Sequence, residues 1–188
     1  MIRFDLVDAR IMLVADPADA EALTQLTAQF RELLVERDAA SEPVTPAPQD
    51  PALVRLFPDP VPDDPVESAE VRELTRPALT DHKRANAERV AASLADPGAL
   101  TPRDELAWLQ WLTDIRIMLA SRLGIVIDGD EGAADTPSEQ AMQWTYHALG
   151  SLQADLLQVL EERGDAPPES PGPPGPPEQP SAPPADSA

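Results

Sequence analysis

Apolar positions along the chain follow two periods, and the switch between them lays out the architecture. Ile2, Phe4 and Leu6 alternate with Arg3 and Asp5, the two-residue period of a half-buried strand. Ile11–Val14 reads as a second strand around Asp8–Arg10, and such a hairpin must lean on a helix to persist. From Asp16 onward the period lengthens. Leu23, Leu26, Phe30, Leu33 and Leu34 form one helical face that fades near Arg37. Val71 and Leu74 point inward from a helix beginning at Asp64, which Pro77 is expected to break or kink. A further helical piece from Ala78 to Ala95 turns Leu79, Ala87, Val90, Ala91 and Leu94 to the core. The last helix carries Met142, Thr145, Leu149, Leu152, Leu156 and Leu160.

The stretch from Thr101 to Gly124 is the centre of this arrangement. Trp108, Leu109, Leu112, Ile115, Leu119 and Leu123 share one broad face, which Trp111 and Met118 widen, with Leu106 and Ile117 on the far flank. Only Arg103, Gln110, Asp114 and Ser121 form a polar stripe. A helix apolar over most of its circumference must be jacketed on several sides. Charge interrupts it too often for a bilayer. The predicted fold is therefore mainly α: a small helical bundle around one central helix, with an N-terminal β-hairpin.

Helix starts are marked by a repeated signal. Asp16, Asp64, Thr101 and Thr136 are each followed by proline and, two residues later, by Asp or Glu. This is a cap, an N1 proline and a capping-box acid, and it does not signal a sequence repeat. Gly124 and Gly164 are stops.

Composition sets the boundaries. Of 23 prolines in 188 residues, eight fall in a connector at 39–66 and ten in 165–188, which holds no basic residue and no large apolar one. The reading is one helical domain over 1–164 with an internal Pro-rich connector, then a disordered acidic tail. Within the connector, Asp50–Pro58 is an island whose Leu53, Leu56 and Phe57 can dock as a helical turn. The formal charge of −20 disfavours nucleic acid and anionic membrane and suits a basic protein partner. Cysteine is absent, which removes disulfides, thiolate chemistry and thiol sensing from this chain. The first residues lack a signal-peptide pattern, so the expected location is cytoplasmic.

Candidate chemistry is thin. His82 and His147 stand on different helices, without a second histidine nearby in sequence. Asp128–Glu131 superficially suggests calcium, but the EF-hand offsets are missing and an acidic solvated loop fits better. Trp108, Trp111 and Trp144 read as core rather than as a ligand cage. No phosphate loop or nucleophile elbow occurs. The chain is read as a non-enzyme with no cofactor and no metal. Arg116 is the oddity, placed among Leu109, Leu112 and Leu123. Either a carboxylate pairs with it, with Glu32, Glu73 and Glu88 as candidates, or its stem packs while the head reaches water.

Two ordered motifs carry a family resemblance. The first is Arg55-Leu56-Phe57-Pro58-Asp59, followed by Asp63-Asp64, Leu74-Thr75 and Lys83-Arg84-Ala85-Asn86-Ala87. The second is the block from Trp108-Leu109 through Leu112-Thr113-Asp114-Ile115-Arg116 to Ser121-Arg122-Leu123-Gly124. Together, from Ile2 to Leu160, they resemble the AosR-like family of small actinobacterial proteins. Thr113 stands where that family usually has Asn, and Ala120-Ser121 where it has Gly-Thr. The resemblance implies transcription regulation under oxidative stress through protein contacts, with a sigma factor or an RNA polymerase subunit as partner. It singles out Arg55, Phe57, Lys83, Arg84, Trp108, Asp114, Arg116, Arg122 and Gly124 as structural or interaction residues. With no cysteine present, thiol-based sensing is either absent here or supplied by a partner. The alternative function is a structural or adaptor accessory of a metabolic or protein-turnover assembly. The sequence leaves the oligomeric state open.

Overall fold

A computed structural model describes residues 1–39, 50–61, 63–127, 129, 130 and 132–165. The chain is mainly α: a two-stranded hairpin, β1 (Arg3–Val7) and β2 (Arg10–Val14), precedes five helices. These are α1 (Pro17–Ala39), α2 (Pro51–Leu56), α3 (Pro65–Ala95), α4 (Pro102–Arg122) and α5 (Pro137–Asp165). Positions 40–49 of the expected connector, residues 166–188 of the expected tail, and Asp128 and Glu131 of the acidic loop lie outside the described residues.

The hairpin closes through Asp8 and Ala9, both left-handed at φ 49° and 59°, as a two-residue turn between right-twisted strands requires. Its antiparallel register sets Phe4 against Leu13 and Leu6 against Ile11. Phe4, Ile11 and Leu13 are buried, and the strands lean on α5. The link between α3 and α4 extends the sheet edge: Leu13 N donates to Gly98 O at 2.8 Å, and Leu100 N to Ile11 O at 2.8 Å. The central helix thus enters directly from the hairpin.

Each predicted start signal opens a helix with proline at its first position. Asp16 Oδ1 accepts from Asp19 N at 3.0 Å, and Asp64 Oδ1 accepts from Val66 N and Glu67 N. Thr101 with Asp104, and Thr136 with Glu139, form reciprocal capping boxes. Burial pulls the Asp104 carboxyl upward, but the Thr101 and Arg89 hydrogen bonds outweigh it and hold its pKa below the ordinary value.

Helix α4 is the core. Trp108, Trp111, Leu112, Ile115 and Met118 are fully buried, with α2, α3 and α5 around them. The Phe4, Trp108 and Trp111 rings stack edge to face at 5.4 and 5.5 Å, and Trp108 Nε1 donates to Ser93 Oγ at 2.9 Å. The island docks as expected: Leu56 and Phe57 are buried and Leu53 is half-buried. The left-handed Gly124 (φ 73°) follows the end of α4.

Four expectations need correction. Helix α3 is one continuous helix of 31 residues, with Pro77 inside it. Pro77 and Glu73, whose carbonyl loses its donor, are both exposed, so the orphaned group is not buried. Leu74 is 81 % exposed because α3 runs past the packed layer; between Val66 and Leu79 only Ser68 is buried. Trp144 is 73 % exposed. It stands two residues, about 200° of helical turn, from the inward Met142. Asp114, expected on the polar stripe, is 6 % exposed and buried under α3.

Candidate functional site

The two motifs meet across the contact between α3 and α4. Lys83 Nζ donates to Asp114 Oδ1 at 2.5 Å, with only 12 % and 9 % of the two side chains exposed. Burial raises the Asp114 pKa, and the attraction of Lys83 and then His82 only partly offsets it. The Lys83 ammonium also lies 5.6 Å from the centre of the Phe57 ring, which α2 brings in from the first motif.

Around this pair is an open cleft of about 370 Å³ between α3, α4 and α5. Gln110 Oε1 lies 2.8 Å from His82 Nε2 and accepts from Asn86 Nδ2 at 2.7 Å. On the α5 side, Gln153 Nε2 donates to Thr113 Oγ1 at 2.9 Å. Leu79, Leu109 and Leu157 supply the apolar wall. The lining thus combines three amides, the Thr113 hydroxyl and the His82 ring with three leucines and one internally neutralised ion pair.

Arg116 extends the network without the expected acid. Its Nη1 donates to Gln153 Oε1 at 2.7 Å, and its guanidinium lies 5.1 Å from the centre of the Tyr146 ring. A Cβ at Gly150 would sit 3.5 Å from the guanidinium carbon, ordinary van der Waals contact, so α5 passes directly against the cation. Of the proposed acids, Glu88 pairs with Arg31. Neutral groups and a π face therefore hold a half-buried cation, intermediate between the paired and snorkelling readings.

The remaining motif residues scatter. Arg55 Nη1 donates to Ile125 O at 2.7 Å, tying α2 to the segment after α4. Arg84 pairs with Asp81 on the outer side of α3. Trp108 is in the core, and Arg122 and Gly124 are exposed at the end of α4. His147 sits on α5, away from the residues lining the cleft. Among the described residues, no group of three His, Cys, Asp or Glu could hold a metal ion. No helix there is long and apolar enough to cross a membrane.

One buried pair had no signal in the sequence. Arg163 of α5 grips Glu105 of α4 with two hydrogen bonds, at 2.6 and 2.8 Å, and Glu105 is 3 % exposed. Glu105 sits in the first turn of α4 among other charges, so local pattern gives no reason to bury it.

Residues 1–160 match the model of a family described as a domain of unknown function, DUF2017. The chain belongs to that family. The DUF2017 match spans both motifs and the whole cleft, but ends before Arg163. No curated protein and no solved structure matches this DUF2017 chain.

Proposed function

We infer that this DUF2017 protein is a non-enzymatic cytoplasmic regulator that acts by protein contact. Its target would be the transcription machinery under oxidative stress, as the AosR-like resemblance implies. The meeting of the two motifs carries this reading. Where they meet, Lys83 and Asp114 are spent on each other. What they leave at the surface is a shallow cleft with an amide-rich floor and a leucine wall, suited to a peptide surface. The charge of −20 favours a partner with a basic face. Because the chain holds no cysteine, the oxidant signal would enter through that partner.

The test immobilises the full chain and passes over it RNA polymerase core and individual sigma factors, each reduced and oxidised. Saturable binding of one of them is expected, weakened by Leu157→Asp on the cleft wall. Binding of none in either redox state would overturn the reading.

A further inference from the structure

From Gln140 to Ala154 helix α5 has fifteen residues without Asp, Glu, Lys or Arg, the longest such run in any of the described helices. It covers about 21 Å, roughly four turns. Its inward side is spent on the core through Leu149 and Leu152. The outward side is open: Ala141, Trp144, His147, Ser151 and Ala154 are exposed, and Trp144 is 73 % exposed. An indole left in water on an uncharged helical face, with Ala141 and Ala148 one turn away and Ser151 two turns on, is the composition of an interface anchor and its notch.

The occupant follows from charge. A basic partner gains nothing from a strip without carboxylates, and the acidic remainder of the surface would draw it elsewhere. Two copies of a chain carrying −20 repel wherever carboxylate meets carboxylate. This strip is the longest helical surface where they can touch without doing so. We propose that the outward face of α5, anchored by Trp144, pairs with the same face of a second copy. An antiparallel two-fold pairing centred between His147 and Ala148 sets each Trp144 against Ser151 of the other copy, with Ala148 beside it. One patch then serves both chains, as a closed dimer requires. This pairing stands apart from the regulatory reading, since it needs no other protein.

Sedimentation velocity on the full chain, from about 1 to about 200 μM, tests it. A concentration-dependent dimer is expected. It should tighten as salt rises from about 0.05 to about 0.5 M, because salt screens the repulsion between the copies. Trp144→Glu and, independently, Ser151→Glu should each weaken it about thirty-fold or more, the loss of a hot spot. Leu74→Glu, at an equally exposed apolar site on α3, should leave it unchanged. Acrylamide quenching should fall as the dimer forms, since Trp108 and Trp111 are fully buried and the accessible indole is Trp144. A chain that stays monomeric throughout overturns the proposal. So does a dimer that salt dissolves, one that both α5 variants leave intact, or one that Leu74→Glu disrupts.

Discussion

At the scale of single residues, two glycines with the same backbone sign carry different burdens. Gly124 and Gly132 have φ of 73° and 72°. A Cβ on Gly124 meets nothing, whereas one on Gly132 would fall 2.7 Å from the Leu123 carbonyl oxygen and 2.8 Å from the Ile125 side chain. Gly124→Ala should therefore cost only the left-handed penalty, about 1 kcal/mol. Gly132→Ala adds a clash with backbone and should cost about 3 kcal/mol. Urea denaturation of the two variants side by side checks the ordering. In the hairpin the sign reverses: Ala9, at φ 59°, already bears that strain, so Ala9→Gly should raise stability by about 0.5–1 kcal/mol. Gly124 is legible in the sequence because it directly follows a periodic helix. Gly132 is not, because its constraint comes from Leu123 and Ile125, set beside it by the path of the loop.

Between elements, the decisive interactions are the Lys83–Asp114 pair and the neutral cradle of Arg116. The Asp114 pKa lies above its unfolded value, so its contribution to stability is fully present below the unfolded pKa and is lost as pH rises through the folded one. Lys83→Met removes the main attraction opposing burial and moves the Asp114 pKa further up. Stability of that variant should therefore fall further than the parent's as pH rises from below the ordinary carboxylate pKa to neutral. At neutral pH the loss should be about 3 kcal/mol, and Lys83→Met with Asp114→Leu should recover most of it, since no charge is then stranded. A double-mutant cycle at both pH values reads this directly. Arg116→Met should behave differently. Its partners Gln153 and Tyr146 are uncharged, so the loss should stay near 1 kcal/mol instead of the 3–5 kcal/mol of a broken buried pair. The four helix starts marked by a cap, a proline and an acid were legible, because those residues lie within four positions of each other, whereas the separate start expected at Ala78 is absent because α3 runs through Pro77. The partner of Arg116 was not, because a wheel shows that a residue faces inward but not what meets it there. The same limit explains Trp144. Its apolar character is written in the sequence, but its exposure depends on which arc of α5 the hairpin and α4 cover.

For the molecule as a whole, the question is where the fold closes. The family match ends at residue 160, but the structure places a main clasp three residues later, where Arg163 takes both oxygens of Glu105. The Glu105 hydrogen bond is also the largest influence holding the Arg163 pKa above its ordinary value. This clasp joins the far end of α5 to the first turn of α4, so the last helix is fixed at its end as well as along its leucine face. A chain ending at Leu160 would keep the leucines but leave Glu105 buried without its cation. Arg163 is 30 % exposed, so the loss should sit at the low end for a broken buried pair, about 3 kcal/mol. For a chain of this size that is a fall in Tm of about 6–12 °C. Glu105→Gln in the shortened chain should restore much of it, because a neutral amide is cheaper to bury than an unpaired carboxylate. A chain ending at Asp165 keeps the clasp and discards only a segment of proline, small and acidic residues with one glutamine, so its Tm should match that of the full chain. Thermal melts of the three chains separate the contributions. If ending at Leu160 leaves the Tm unchanged, the leucine face alone closes the fold and the clasp adds nothing.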